Sequence, residues 1–492
     1  MCWKPRPAGE QENLMDAPSH VDTLVIGFGK AGKTLAMGLA AAGRSVALVE
    51  QSPAMYGGTC INIGCVPTKT LLHDAEASAS RRGASDEADA QSLYSSALER
   101  KRALREKMNA ANLAMVEKPG AVVVTGRARF TGERTVRVTA GDDELTITAD
   151  HVVIGTGSVP RIPSIPGLPE KPLEDPRILT STELIDRDRL PARLAVLGAG
   201  FIGLELANMY AEFGSEVTVL DRGERIAPHE DAETSAALEE VLTGIGVRVR
   251  HGAAVESVDT GAGHASPLVL RLAGGEHGPG ETLEADALLI ATGRVPATEG
   301  LGLEAAGVET DGRGAVVVDS FLRTSADSVW AVGDVHGGPQ FTYTSFDDHR
   351  IVRDQLLRGL GERGRSLENR GPVPSTAFLT PPFARVGLTA AEAREQAAEH
   401  GWDVRVARAE VKDIAVMPRP KAVGEPRGFM QVVVDGASRR ILGASLLCID
   451  AQEVVNLIAT AMRHGLTADD LRDGIYTHPS TTEALNGLLA GV

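Results

Sequence analysis

Residues 57–72 have the sequence Gly57-Gly-Thr-Cys-Ile-Asn-Ile-Gly-Cys-Val-Pro-Thr-Lys-Thr-Leu-Leu72, in which Cys60 and Cys65 are separated by four residues. A flexible Gly-Gly pair precedes the cysteines, and Pro67 with a helix-compatible run follows them. This spacing predicts that the two sulfurs face one another across the first turn of a helix. The free N–H groups and the dipole at a helix N-terminus lower the pKa of a thiol there.

Two other interpretations of this pair are buried structural cysteines and one half of a metal site. Ribbon-type metal sites use two-residue gaps and a second ligand pair elsewhere, and neither is present in the sequence. We therefore predict a redox-active cysteine pair and no metal site.

A first dinucleotide-binding pattern lies near the N-terminus. The apolar run 21–26 predicts a buried parallel strand, and it leads into Gly27-Phe-Gly29-Lys-Ala-Gly32 and an Ala-rich helix. A second strand ends at Glu50. Gly27 permits the tight turn, Gly29 the approach of pyrophosphate and Gly32 the close packing of helix on strand, while Glu50 is placed to bind a ribose.

The pattern recurs in the middle of the chain. A strand at 194–197 is followed by Gly198, Gly200 and Gly203, a helix, and a strand that ends before Asp221. The acid comes at the same offset from the first glycine in both copies, which makes a chance repeat a poor alternative. Two dinucleotide sites with a redox pair indicate that two dinucleotides exchange electrons.

The segment that contains the cysteines resembles the redox-disulfide signature of the flavoprotein disulfide reductases, a family that includes glutathione reductase, dihydrolipoyl dehydrogenase and mercuric reductase. The resemblance covers nearly the whole chain from about residue 21. Within the family, residues 26–36, 50–58 and Phe341-Thr-Tyr-Thr-Ser-Phe-Asp-Asp348 look like the reactive-chlorine resistance branch.

The resemblance implies FAD at the first nucleotide site and NAD(P)H at the second. Asp221 favours NADH, because it would repel a 2′-phosphate, whereas Arg222 and Arg225 would accept one. By the same resemblance Asp334 binds the FAD ribitol. The predicted cofactor-binding residues are Gly27, Gly29, Gly32, Glu50, Gly58, Thr59, Thr156, Gly157, Gly333, Asp334, Gly198, Gly200, Gly203, Asp221 and Gly293.

The family also implies roles for residues around the thiols. Cys65 would lie against the flavin and hold a thiolate there, while Cys60 would be the outer thiol that meets the substrate. Lys69 matches the lysine near the reactive flavin nitrogen, and Glu205 matches its acidic partner.

A general acid–base is implied near the C-terminus. His478 matches the family's catalytic histidine, and Glu483 would fix its tautomer. The chain has His-Pro-Ser where His-Pro-Thr is common, and it lacks the further histidine two positions earlier. These departures weaken an assignment to a disulfide substrate.

The fold class expected from these elements is α/β, with two Rossmann-like dinucleotide-binding domains and a C-terminal α+β dimerisation domain. Leu145–Ile147 and His151–Ile154 are predicted as separate strands. The predicted domains are a mobile tail at 1–20, the FAD-binding domain at 21–159 and 291–371, the NAD(P)-binding domain at 160–290, and the dimerisation domain at 372–492.

Composition restricts the partners. The chain has 492 residues and a net charge of −16 at pH 7, so we expect no nucleic-acid or membrane partner. Four cysteines in a chain of this length do not make a disulfide framework, which favours a reducing, cytoplasmic location. The family implies a homodimer with a shared active site.

These observations predict an enzyme that passes electrons from NAD(P)H through FAD and the cysteine pair to a small thiol-reactive oxidant. Hypothiocyanous acid or reactive chlorine species are the expected acceptors, with copper(II) as a further one. Dihydrolipoyl dehydrogenase is the alternative. Mercuric reductase is less expected because the last residues contain no cysteine pair, and a non-catalytic redox sensor is the remaining interpretation.

Overall fold

The computed structural model describes residues 17–81, 87–273, 280–359 and 363–492. Residues 1–16 of the predicted N-terminal tail lie outside the described residues. His20, predicted as the end of that tail, is instead the first residue of a strand and pairs with Thr148. In the described part of the chain, no helix is long and apolar enough to cross a membrane.

The helices follow one another in chain order with these bounds: α1 Lys30–Ala41, α2 Thr59–Asn62, α3 Cys65–Arg81, α4 Glu87–Glu117, α5 Ser181–Leu184, α6 Phe201–Phe213, α7 Ala232–Gly244, α8 Thr342–Arg358, α9 Ala390–His400, α10 Arg419–Val423, α11 Ala451–Arg463, α12 Ala468–Arg472 and α13 Ala484–Leu488.

The strands have these bounds: β1 His20–Ile26, β2 Val46–Glu50, β3 Val122–Thr125, β4 Arg127–Gly132, β5 Thr135–Ala140, β6 Asp143–Ile154, β7 Ser158–Pro160, β8 Ile178–Leu179, β9 Arg193–Leu197, β10 Glu216–Leu220, β11 Arg248–Arg250, β12 Ala254–Asp259, β13 Leu268–Ala273, β14 Thr282–Ala285, β15 Ala287–Ile290, β16 Arg294–Pro296, β17 Val329–Ala331, β18 Ser375–Ala377, β19 Phe383–Gly387, β20 Val404–Glu410, β21 Phe429–Asp435 and β22 Ile441–Leu447.

The chain forms two compact units. The first comprises the described residues within Met1–Thr70, Leu98–Arg161 and Arg294–Arg370, and the second comprises those within Leu71–Ala97, Ile162–Gly293 and Gly371–Val492. The domain boundaries predicted from the sequence stay a prediction.

The first unit is built on one mixed sheet in the order β3-β2-β1-β6-β5-β4, with β17 also paired to β6. Strands β1, β2, β3 and the end of β6 run parallel, and β2 is buried at every residue because both faces of such a sheet are covered. The carboxyl ends of β1 and β2 therefore place Gly27 and Glu50 at the same edge of the sheet.

Strand β6 corrects one prediction about this sheet. Leu145–Ile147 and His151–Ile154 belong to a single strand of 12 residues rather than to two strands. The strand changes partners along its length: its first half pairs antiparallel with β5, and it pairs parallel with β1 from Thr148 onward. The polar residues near position 150 mark this change of environment and not a turn.

The described residues of the second unit form one parallel sheet and two antiparallel ones. Strands β11-β10-β9-β15-β8 form the parallel sheet that carries the second glycine pattern, and β12-β13-β14 form a small antiparallel sheet. Strands β18-β19-β22-β21-β20 form the C-terminal antiparallel sheet, against which α11 packs its buried apolar residues. The predicted fold class is confirmed: two Rossmann-like sheets and a C-terminal α+β region.

Candidate active site

The cysteine pair lies on two consecutive helices and belongs to the first unit. Cys60 is in α2, and Cys65 is the first residue of α3. The two sulfurs face one another as predicted. They do not do so across one helical turn, because α2 ends at Asn62, whose side-chain amide donates back to the carbonyls of Tyr56 and Gly58 at 2.9 and 3.0 Å. Cys65 is nevertheless at a helix N-terminus, as the thiol chemistry requires.

The two sulfurs differ in their protonation. The Cys60 thiol donates to Cys65, and this hydrogen bond, together with burial, raises the pKa of Cys60. The same bond lowers the pKa of Cys65 to about 6, with help from the hydroxyl of Thr342 and the charge of Lys69. The Thr342 Oγ1 atom lies 3.5 Å from the Cys65 Sγ atom. In the reduced pair the thiolate therefore belongs to Cys65.

Thr342 is a contact that sequence reasoning missed. It is the first residue of α8, within the segment 341–348 that carries the branch resemblance, but no pattern assigned it a role. The side chain of its neighbour Tyr343 is partly exposed. Burial of the rest of this side chain raises the pKa of the phenol, and the thiolate charge of Cys65 raises it further. The branch segment thus lies directly beside the redox pair.

The first glycine loop is built for close approach. Gly27 has φ +106°, and a Cβ there would lie 2.2 Å from the carbonyl oxygen of Gly155. Gly58 has φ +74°, and its Cβ would lie 2.7 Å from the Cα of Gly29. The cysteine segment therefore packs backbone to backbone on the glycine loop, with no room for a side chain between them.

Polar groups around this loop fit a flavin dinucleotide. Glu50 is buried, which raises its pKa, and it accepts from the Phe28 N–H at 3.1 Å. The Thr156 hydroxyl is buried and has no protein partner among the described residues, so it is available to a ligand. Because a buried orphan hydroxyl is rare in proteins, its presence beside a glycine cradle supports cofactor binding.

Asp334 is held in place by residues that the sequence did not single out. The Ser158 hydroxyl donates to the Asp334 carboxylate at 2.6 Å, and Arg294 donates to the Ser158 hydroxyl at 2.8 Å and to its carbonyl at 2.6 Å. The N–H of Gly333 donates to Asp348 at 2.7 Å. Ser158 and Arg294 have no sequence signal of their own, because they act through the strand pair β7–β16.

The second glycine loop lies in the second unit. One carboxylate oxygen of Asp221 accepts from the Ala199 N–H at 2.9 Å, and the other accepts from the Gly223 N–H at 2.7 Å. Arg222 and Arg225 are exposed beside it. Asp221 is thus fixed at the end of β10, where the sequence predicted a ribose-binding acid.

Glu205 and Lys69, which were predicted to act as a pair, belong to different units of the chain. Glu205 accepts a hydrogen bond from the Phe378 N–H at 2.7 Å within the second unit, whereas Lys69 belongs to the first unit. Their pairing stays a prediction.

His478 and Glu483 do come together. The His478 Nδ1 atom lies 3.0 Å from a Glu483 oxygen, and the Ser480 N–H donates to the other oxygen at 3.0 Å. Slight burial works to raise the pKa of Glu483, but the bond to His478 and the Ser480 N–H outweigh it and lower that pKa. The imidazole itself is 72% exposed, so its second nitrogen is open to a partner or substrate.

Comparison with known families decides the classification of the chain. The family model described as pyridine nucleotide-disulphide oxidoreductase matches residues 21–348, and the model of that family's dimerisation domain matches residues 373–488. The chain belongs to the pyridine nucleotide-disulphide oxidoreductases. It is therefore an enzyme of an FAD-dependent family that uses a pyridine nucleotide, and its dimerisation domain supports a homodimer.

Individual members of this family differ in their similarity to the chain. The probable pyridine nucleotide-disulfide oxidoreductase RclA of Escherichia coli is 43% identical over 95% of this chain and 98% of its own length. A mercuric reductase of Staphylococcus aureus is 34% identical over 96% of this chain and 83% of its own. A dihydrolipoyl dehydrogenase of Chlorobaculum tepidum is 33% identical over 95% of this chain and 96% of its own length.

Solved structures agree with this ranking. The HOCl-induced flavoprotein disulfide reductase RclA from Escherichia coli superposes with a TM-score of 0.85 at 42% identity, over 95% of this chain and 99% of that one. A copper(II) complex of the same reductase superposes with the same TM-score over 96% of this chain and 99% of that one. The predicted resemblance to the reactive-chlorine branch is confirmed, and the dihydrolipoyl and mercuric relatives are more distant.

Proposed function

We propose that this pyridine nucleotide-disulphide oxidoreductase reduces a small thiol-reactive oxidant, hypothiocyanous acid or a reactive chlorine species, at the expense of NAD(P)H. One observation carries the proposal: the branch segment 341–348 contributes the Thr342 hydroxyl that contacts the Cys65 sulfur. The chain resembles an HOCl-induced reductase over most of its length, and within it the branch segment adjoins the reacting sulfurs.

The two cysteines have separate roles in this proposal. The Cys60 thiolate attacks the electrophilic sulfur of hypothiocyanous acid, so that an S–S bond forms and the leaving hydroxide takes a proton to become water. The Cys65 thiolate then attacks the Cys60 sulfur, the cysteine disulfide forms, and thiocyanate leaves. The oxidant gains two electrons and the thiol pair loses them. Bound FAD supplies the relay of two electrons from NAD(P)H back to the disulfide.

Other side chains would prepare this chemistry. His478, oriented by Glu483, takes the Cys60 proton, and it does so from the other subunit of the homodimer. Lys69 stabilises the thiolate of Cys65, and we place Glu205 as the partner of Lys69. The glycine loops, Glu50, Thr156 and Asp334 hold FAD, and Asp221 favours NADH over NADPH. We also propose that the protein works in the reducing environment of the cytoplasm.

An acceptor panel tests the proposal against its alternative. We expect kcat/KM for hypothiocyanous acid to exceed the values for dihydrolipoamide and glutathione disulfide by at least about 100-fold, since a small electrophile needs no large recognition pocket. The Cys60→Ser variant is the control and should lose this turnover while retaining FAD. Efficient dihydrolipoamide oxidation with negligible hypothiocyanous acid turnover would return the assignment to dihydrolipoyl dehydrogenase. Copper(II) belongs in the panel as a further acceptor.

A further inference from the structure

Lys33 is a buried lysine in the first turn of α1, a helix that otherwise serves the glycine loop. Its residue is only 7% exposed, and its ammonium donates to the side-chain oxygen of Asn112 in α4. Among the described residues it forms no ion pair with a carboxylate. Burial of an ammonium group with only a neutral partner costs free energy, so Lys33 does not stabilise the folded chain through this contact.

The surroundings of Lys33 connect it to the cysteine segment. Asn112 lies against Gly57, because a Cβ at Gly57 would be 3.2 Å from the Asn112 side-chain carbon. One turn earlier in α4, the amide of Asn109 donates to Asn62, the last residue of α2, at 3.1 Å. Helix α4 thus packs against the cysteine segment, and Asn112 holds the ammonium of Lys33 beside Gly57, three residues before Cys60.

The charge of each of Lys33 and Cys60 affects the pKa of the other. Burial, and to a smaller degree the charge of Lys30, lowers the pKa of Lys33 to about 8, while Cys60 acts in the opposite direction. In return Lys33 lowers the pKa of Cys60, against the larger effects of Cys65 and burial.

We propose that Lys33 is a positioning residue for the outer thiol: its buried ammonium, held by Asn112, favours the thiolate form of Cys60. The inference rests on the proposed function, in which Cys60 is the sulfur that attacks the oxidant. It explains why a charge is buried at this place in a helix that needs none.

Two lysines then act on one shared proton. In the reduced pair the Cys60 thiol donates to the Cys65 thiolate, and Lys69 and the hydroxyl of Thr342 favour that arrangement. Lys33 acts in the opposite direction and favours the Cys60 thiolate that forms when His478 takes the Cys60 proton. Cys60 can then attack an electrophilic sulfur or halogen, and Cys65 remains a thiolate for the resolving step.

The test isolates Cys60 from its partner sulfur. In FAD-loaded Cys65→Ser protein, the pH dependence of Cys60 alkylation by iodoacetamide is followed by mass spectrometry of the Cys60 peptide, which gives the pKa of that thiol. Adding Lys33→Met should raise this pKa by about one unit, so that alkylation below the pKa slows about ten-fold. FAD content and far-UV circular dichroism report whether each variant is folded.

A second variant keeps the test decisive even where Lys33→Met fails to fold. Asn112→Asp retains Lys33 but gives it a carboxylate partner, and we expect the pKa of Cys60 to rise in the same direction. The matched control is Lys107→Gln, which removes a charge from an exposed position of the same helix α4 and should leave the alkylation profile unchanged.

An unchanged Cys60 pKa in a folded Lys33→Met or Asn112→Asp protein would overturn the inference, as would an equal shift in Lys107→Gln. Alkylation requires no electron acceptor, so the result is independent of the acceptor panel. If Lys33 shifts the Cys60 pKa but the wild-type enzyme does not reduce hypothiocyanous acid, the proposed function fails and the role of Lys33 stands.

Discussion

At the scale of single residues, the chemistry depends on which sulfur of the pair is charged. Hydrogen bonds from Cys60 and Thr342, and the positive charge of Lys69, stabilise the thiolate of Cys65. A thiolate is the form that can interact electronically with a flavin and resolve a mixed adduct. The protonation of one atom therefore couples the cofactor to the substrate.

The hydroxyl of Thr342 gives a pH prediction. Because the pKa of Cys65 is lowered to about 6, its thiolate is present above that pH and is lost as the pH falls through it. Thr342→Val should move this midpoint upward by roughly half a unit to one unit, since it removes a hydrogen bond to the charged form. A pH titration of the thiolate-to-flavin absorption band in two-electron-reduced enzyme measures it.

A matched control for this variant is Thr70→Val. The Thr70 hydroxyl donates to the Val66 carbonyl in its own helix at 2.8 Å and contacts neither sulfur. Its midpoint should stay at the wild-type value. An unshifted midpoint in Thr342→Val would show that the hydroxyl does not stabilise the Cys65 thiolate.

Sequence patterns found the residues that belong to motifs and missed those that act through space. Cys60, Cys65, Glu50 and Asp221 stand at fixed offsets from glycines or strands, so their positions follow from the chain itself. Thr342 is far from the cysteines in sequence, and only folding brings its hydroxyl to Cys65. The burial of Lys33 could not be predicted from the sequence either, because a lysine on a helix ordinarily faces water.

At the scale of elements, the glycine loop and the cysteine segment form one packed feature. Gly58 is the point where the two backbones meet, and the cysteines follow it within α2 and α3. Any cofactor held by the loop is thereby fixed in position relative to the sulfurs. The glycine is required both for its positive φ and for the absence of a side chain.

Gly58→Ala tests this coupling. Alanine would bring the strain of φ +74° with ψ −170°, a conformation essentially restricted to glycine that costs about 1–3 kcal/mol, and a clash with the Cα of Gly29. We expect a larger loss in the free energy of unfolding than strain alone gives, with loss of bound FAD. Both are measured by urea denaturation and by the flavin-to-protein ratio of the purified variant.

Gly43→Ala is the control for that experiment. Gly43 has a similar φ of +83°, but its Cβ would meet nothing within 4 Å. Its free energy of unfolding should fall by only about 1–2 kcal/mol, and FAD should remain bound. Equal behaviour of the two variants would mean that the backbone contact of Gly58 does not matter.

Element boundaries show where local patterns stop being informative. The parallel strands were predictable because their apolar runs are buried on both faces. The continuity of β6 was not, since the strand changes from a half-buried antiparallel partner to a largely buried parallel one without a turn. The end of α2 at Asn62 depends on side-chain amide bonds to the preceding loop, which spacing alone does not encode.

At the scale of the whole molecule, the proposed active site requires two copies of the chain. The His478–Glu483 pair is assembled within the C-terminal region, and the imidazole is left exposed. The family's dimerisation domain covers this region. We place His478 of one subunit next to Cys60 of the other.

Complementation measures whether the site is shared. His478→Ala and Cys60→Ser homodimers should each be inactive. Refolding equal amounts together should restore up to about a quarter of the wild-type activity, because about half of the dimers are mixed and each mixed dimer contains one intact site of two. Mixing two preparations of His478→Ala is the control and should restore none. Absence of recovery, with mixed dimers demonstrated by mass spectrometry of the intact dimer, would contradict a shared site.

The most direct measurement is the absorption spectrum of the enzyme after anaerobic reduction by one equivalent of NADH, followed by one equivalent of hypothiocyanous acid. We predict a long-wavelength thiolate-to-flavin band in the wild type, which the oxidant abolishes as the disulfide re-forms. The Cys65→Ser variant should retain FAD but never show the band. Persistence of the band in Cys65→Ser, or a wild-type band that hypothiocyanous acid leaves unchanged, would contradict electron transfer through this pair to a small oxidant.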